Sequence, residues 1–181
     1  MSNIIILGGG FAGLITAEHL AAELENESHQ ITLVSPNDQF TFYPGLVHLA
    51  FGRYQLSDIT FDLNAKLKEF GVRFVRSEAL AVDAHHRTIA VTGDDFSGSL
   101  AYDYLVIAMG RRLATEKVSG FFDHSHHLLG PKAALRFGEA VNDFKTGRII
   151  VGSCPGARLP VPVCETAFAL SKKFENETRN G

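Results

Sequence analysis

The sequence predicts an α/β fold built on a parallel sheet, and three observations predict it. Ile4-Ile5-Ile6-Leu7 is apolar at every position, as suits a parallel strand buried on both faces. It runs into Gly8-Gly9-Gly10-Phe11-Ala12-Gly13 and then into a helical pattern from Phe11 to about Asn26, where Leu14, Ala17, Ala21 and Leu24 recur at spacings of three and four. Residues 30 to 34 supply a second strand. Strand, helix and strand in that order make a βαβ unit with its glycines at the first strand-to-helix turn.

Composition sets the outer bounds. A length of 181 residues allows one large domain or two small ones. With 17 basic and 20 acidic side chains, a net charge of −3 and a pI near 6.2, no basic block points to nucleic acid as the main partner. Two cysteines cannot make a disulfide scaffold and fit a reducing, cytoplasmic setting. The N-terminus lacks the basic start and long apolar run of a signal peptide. No window approaches the roughly 20 apolar residues of a membrane span.

In the turn, glycines fall at the first, third and sixth places of Gly-x-Gly-x-x-Gly. Gly8 permits the tight turn, Gly10 lets a pyrophosphate approach the backbone, and Gly13 lets helix pack close to strand. The exposed N–H groups and the helix dipole hold phosphates. About 20 residues on, where an acid usually binds ribose, the sequence has Ser35, then Pro36, Asn37 and Asp38. Serine accepts or donates to a hydroxyl without the charge assistance of a carboxylate. Ser35 is the candidate ribose contact, with Asn37 or Asp38 as deputies or as turn residues that satisfy local backbone.

Residues 36–57 form a long connection carrying Phe40, Phe42, Tyr43, Pro44, Phe51 and Tyr54, which suit either packing against a flat ligand or neighbouring domain, or a satellite core. Ser57 or Asp58 reads as the N-cap of a helix ending near Phe70, with Gly71 as terminator. Residues 72–75 read as a third strand, and 80–82, 88–91 and 100–102 as a small antiparallel meander. Tyr104-Leu105-Val106-Ile107 then runs into Ala108-Met109-Gly110, a small-residue turn where backbone can approach a cofactor. Arg111 and Arg112 follow as loop charges.

The glycine turn, the Ala108-Met109-Gly110 segment and Ser35-Pro36-Asn37-Asp38-Gln39-Phe40 with Phe42-Tyr43-Pro44-Gly45 together resemble the FAD-dependent pyridine nucleotide–disulfide oxidoreductase superfamily, in the branch holding sulfide:quinone oxidoreductases. The resemblance implies a Rossmann-like FAD-binding domain over residues 1–110, with parallel sheet and meander. The start of a second dinucleotide-binding-type domain would occupy 111–181. It implies FAD with its pyrophosphate at Gly8, Gly10, Phe11, Ala12 and Gly13 and its ribose at Ser35 and Asn37. Ala79 would lie beside the adenine, Pro44 and Gly45 on the flavin side, and Ala108, Met109 and Gly110 over the cofactor. Relatives in this branch also carry serine after the second strand.

The last third holds a strand at 148–152 and a helix at 165–174, joined by a turn with three prolines and no second Gly-x-Gly-x-x-Gly. That argues against an NADH pyrophosphate and so against a type II NADH dehydrogenase. The sulfide enzymes, in turn, are expected to carry a catalytic cysteine where this sequence has Leu159. Cys164, just before the helix, and Cys154 are the remaining redox candidates, because a helix N-terminus favours thiolate; each reads equally as a small buried core residue. His124, His126 and His127 lie in a polar loop and read as solvated rather than as metal ligands.

The sequence therefore predicts an FAD-dependent oxidoreductase that passes electrons from a small, sulfide-like reductant to an acceptor such as quinone. A type II NADH dehydrogenase-like enzyme and a non-catalytic FAD- or nucleotide-binding module are the alternatives. Family resemblance adds peripheral membrane association, and a second copy or a complementary chain, as expected partners. Such enzymes close the flavin site with later sequence, so the chain is expected to be a fragment, a shortened gene product or one part of a split enzyme.

Overall fold

Ser2–Leu7 (β1) forms a central strand because its side chains alternate into two apolar layers. Ile4 and Ile6 enter a core with Leu33, Leu63, Leu67 and Ala17, while Ile5 and Leu7 enter another with Val34, Val75, Ile89 and Val91. The computed structural model describes residues 2–24, 28–110, 118–157 and 161–180. They sort into two compact units, Met1–Phe40 with Thr60–Arg111, and Thr41–Ile59 with Arg112–Gly181. Arg111, Arg112 and Leu159 lie outside the described residues.

In the first unit, Phe11–Glu23 (α1) follows β1 and leads to His29–Ser35 (β2), which pairs with β1 in parallel from Ser2↔His29 to Leu7↔Val34. Short strands Gln39–Thr41 (β3) and Thr60–Asp62 (β4) make a two-stranded ribbon. The expected helix from Ser57 to Phe70 is broken by β4. Its parts are Leu56–Ile59 (α3), whose Asp58 carboxylate reaches back to the Gln55 N–H at 2.7 Å, and Leu63–Glu69 (α4), capped by Asp62. The break has a tertiary cause: Phe61 stacks on the buried Phe40 ring at 4.7 Å, which holds the chain extended. Gly71 ends α4 as expected, with φ +70.

Arg73–Asp83 (β5) absorbs two of the expected strands. Its first half pairs in parallel with β2 and its second half antiparallel with Thr88–Gly93 (β6), across a register shift between Ala79 and Ala81. Gly98–Ala101 (β7) completes the meander, and Tyr104–Ile107 (β8) lies parallel to β1 on its other side. The six-stranded order is β7-β6-β5-β2-β1-β8.

The second unit is helical. After a 3-10 turn at Tyr43–Gly45, Leu46–Ala50 (α2) packs with α3 and Pro131–Asp143 (α6) in a core of Leu46, Leu49, Ala50, Ile59 and Ala134. Helix α6 was legible in Pro131 at the first helical position and in Ala134, Gly138 and Val141 along one face, yet is absent from the sequence expectations above. Phe121–His124 (α5) is a single turn, and Val161–Asn180 (α7) starts one turn earlier than expected. Pro162 is tolerated there because first-turn N–H groups have no intrahelical partner. The strand expected at 148–152 does not form: Ile150 is 87% exposed, and no described strand of this unit offers it a ladder partner.

Candidate functional site: the glycine turn at the head of the first helix

Backbone packing accounts for two of the glycines. Gly8 sits at φ +110 with its N–H donating to the Val34 carbonyl at 2.8 Å, and a Cβ there would run into the Ala108 carbonyl oxygen. A Cβ on Gly13 would strike the Gly8 carbonyl oxygen, so α1 lies against the end of β1 as only glycine allows. Ala108 in turn donates its N–H to the Leu7 carbonyl at 2.8 Å, which locks the end of β8 beside the turn.

Gly10 differs from both. It is the N-cap of α1 in an extended conformation, makes no side-chain cap, and has nothing within 4 Å of where a Cβ would stand. No acidic residue lies in the first turn of α1. The first intrahelical bond runs from Leu14 N–H to the Gly10 carbonyl at 2.9 Å. The N–H groups of the first turn have no partner within the helix ladder, and they stand at the end of a helix carrying roughly half a positive charge. A cradle with room for an anion, built from backbone donors, fits a pyrophosphate.

The other candidates distribute as follows. Ser35, at 5% exposure, ends β2 beneath the turn, and its Oγ accepts from the Asn37 N–H at 3.3 Å. Phe11 packs edge-on against Phe40 at 5.0 Å, and Ala12 lies exposed beside it on α1. Met109, 57% exposed, and Gly110, at φ +69, follow β8. Residues 8–13, Ser35, Asn37 and Ala108 to Gly110 thus gather at the carboxyl ends of parallel strands, where open α/β sheets bind ligands. Ala79 lies on β5 opposite Val91, at the register shift. Asp38 is engaged by the Arg76 guanidinium at 3.1 Å, a partner that sequence spacing does not reveal.

Pro44 and Gly45 belong to the second unit, in the 3-10 turn, with the Gly45 Cβ position filled by Ile59. Both cysteines are free thiols in the second unit. Cys164 is exposed within the first turn of α7 rather than before it, and lines an open cleft of about 600 Å³ with Val47, His48, Glu165 and Phe168. His48 approaches Glu165 at 3.4 Å, another pair that sequence reading missed. Cys154 is half-buried, its carbonyl accepting from Ala157 N–H at 3.1 Å. His127 packs between the rings of Phe121 and Phe122, and burial, followed by His126 and Arg136, lowers its pKa below the ordinary histidine value. No cluster of metal-binding side chains occurs among the described residues.

A buried parallel strand, a glycine turn and an uncapped helix, closed by the small-residue end of a neighbouring strand, define a dinucleotide-binding α/β protein. Residues 2–153 match the family model for pyridine nucleotide-disulphide oxidoreductases, and the chain belongs to that family. It is similar to the demethylphylloquinone reductase NdbB of Synechocystis sp., 38% identical over 126 residues that cover 67% of this chain and 31% of that protein. It is also similar to the type II NADH:quinone oxidoreductase of Staphylococcus haemolyticus, 25% identical over 78% of this chain and 34% of that protein. Among solved structures, the sulfide:quinone oxidoreductase of Aquifex aeolicus superposes with a TM-score of 0.71 at 28% identity, covering 79% of this chain and 32% of that one. The chain spans about a third of the length of these relatives. The family and these relatives are FAD-binding flavoproteins. No helix among the described residues is long and apolar enough to cross a membrane.

Proposed function

We propose that the chain is the FAD-binding part of a quinone-reducing oxidoreductase, and that its electron donor is a small sulfide-like reductant. The observation that carries the cofactor assignment is the start of α1: an extended Gly10 with open space where a Cβ would stand and no acidic residue in the first turn. When bound, FAD supplies the two-electron chemistry at its isoalloxazine ring, and the protein supplies binding and orientation.

Each residue then has a defined task. Backbone N–H groups of Gly10, Phe11, Ala12 and Gly13 hold the phosphates, while Gly8 brings the turn against Ala108. Ser35 and Asn37 meet the ribose, and Ala79 lines the adenine end. Ala108, Met109 and Gly110 close over the cofactor from β8, and Pro44 and Gly45 serve the flavin side. Cys164, exposed at the head of α7, is the stronger of the two cysteine candidates for a redox role, with Cys154 second.

Similarity to a sulfide:quinone oxidoreductase and a second turn of Pro155, Pro160 and Pro162 without a Gly-x-Gly-x-x-Gly pattern support the sulfide donor. Similarity to type II NADH:quinone oxidoreductases supports NADH as the rival donor. Because the relatives reduce quinones, a peripheral membrane location goes with either donor.

The deciding experiment is an absorbance spectrum of the purified protein, followed by anaerobic titration with sulfide and, separately, with NADH. A flavin spectrum bleached by sulfide is the expected result. Bleaching by NADH alone would replace the donor, and a protein that cannot be loaded with FAD would overturn the proposal in favour of another nucleotide ligand.

A further inference from the structure

Two loops of the first unit meet on one residue, where β5 passes from its parallel to its antiparallel partner. Arg76 is the Cα partner of Ser35 across β5 and β2. Its Nη1 lies 3.1 Å from the Asp38 carboxylate, in the loop that leaves Ser35, and its Nε 3.5 Å from the Asp94 carboxylate, in the turn between β6 and β7. The Arg76 N–H donates to Asp95 Oδ2 at 2.8 Å, and the Asp95 N–H returns a bond to the Arg76 carbonyl at 3.4 Å. Next to it, the fully buried Ser77 hydroxyl donates to the Phe96 carbonyl at 2.7 Å. On the other side, the Asp38 carbonyl accepts from Leu63 N–H at 2.7 Å. The guanidinium therefore faces two carboxylates, Asp38 and Asp94, while the Arg76 backbone holds a third, Asp95, and the residue joins the 36–38 loop to the 94–96 turn.

This arrangement matters for a phosphate-bearing ligand. Asp38 lies three residues past Ser35 and would otherwise be a free anion beside the ribose position. Ion-paired with Arg76, its carboxylate is drawn toward β5, and the same pairing tethers the loop that carries Asn37 N–H to Ser35 Oγ. We propose that Arg76 is a positioning residue for the adenosine end of FAD, which keeps Asp38 away from the ribose edge and holds the Ser35–Asn37 corner in shape. The proposal rests on FAD binding at the glycine turn.

Its test is a titration of FAD into the apoprotein by flavin fluorescence, for wild type, Arg76→Gln, Arg76→Lys and the double variant Arg76→Gln/Asp38→Asn, repeated with ADP as competitor. The expected result is a 3- to 10-fold weaker FAD Kd for Arg76→Gln, a matching loss for ADP, and partial recovery in Arg76→Lys. Recovery is also expected in the double variant, where the orphaned carboxylate is gone. A merely structural role would lower the melting temperature of Arg76→Gln without rescue by Asp38→Asn, and that pattern overturns the proposal. So does an unchanged FAD Kd in Arg76→Gln, or an ADP affinity that does not follow the FAD affinity. Wild-type protein that fails to bind FAD overturns the cofactor assignment itself, and with it this role, and is distinguished by the first titration.

Discussion

Two helices of the first unit begin in opposite ways. Helix α4 starts on Asp62, whose Oδ1 accepts from the Ala65 N–H at 2.6 Å, so part of its N-terminal demand is met by its own sequence. Helix α1 starts on Gly10 with no side-chain partner, no acid in its first turn and empty space over the cap. Both pack against the same apolar layer, through Ala17 for α1 and Leu63 and Leu67 for α4. Their packing is thus alike while their caps differ. A fold under pressure only for stability would cap both, since a cap is worth about 0.5–2 kcal/mol. An uncapped α1 is what the proposed anion site at its N-terminus would require.

The strongest way to break this contrast is Gly13→Val. Its Cβ would collide with the Gly8 carbonyl and push α1 off β1. FAD binding should weaken by at least about 100-fold, or ~2.7 kcal/mol, by fluorescence titration. Next is Leu33→Ala, in the layer beneath both helices. It should cost about 2–5 kcal/mol in urea unfolding, and FAD added in excess should recover part of the loss because ligand binds only the folded state.

Gly10→Asp sharpens the contrast by giving α1 the cap that α4 has. Extended backbone and free space at Gly10 accommodate the side chain. Apoprotein stability should rise by about 0.5–1 kcal/mol while FAD affinity falls by about 10-fold, because a carboxylate then occupies the phosphate position. A variant that gained stability and kept its FAD affinity would remove the anion-site assignment. The smallest effect on FAD binding is expected for Asp62→Ala: a Kd within about twofold of wild type, with about 0.5–2 kcal/mol of stability lost.

Much of the first unit was legible in the residues. A run with no polar position could only be a strand covered on both faces, and glycines at fixed offsets announced the turn. Asp62 shows the limit. Residues 57–70 read as one helix because Ser57 or Asp58 offers an N-cap and Gly71 a terminator. What breaks the helix is the Phe61 ring stacking on Phe40, more than 20 positions earlier in the chain, a contact that no local pattern carries. Expectation failed in the other direction at residues 148–152, where apolar, β-branched residues suggested a strand. β-propensity is realised only when a neighbouring strand supplies the ladder, and Ile150 remains exposed.

The site divides along the same line. The spacing of Gly8, Gly10 and Gly13 marked the turn, and the Gly13–Gly8 contact is local, although the Ala108 carbonyl that also demands glycine at position 8 comes from a distant strand. Asp38 could not be read that way: in sequence it is a free acid near a ribose position, and in the fold it is held by an arginine on another strand.

By itself, the sequence determined the βαβ unit and its glycine turn, since these depend on chain geometry over a few residues, while FAD followed from resemblance to the family. Tertiary structure alone decided which side chains stay available to a ligand. That depends on which loops meet, and electrostatic pairing such as Arg76 with Asp38 is set by contacts in space rather than by order along the chain.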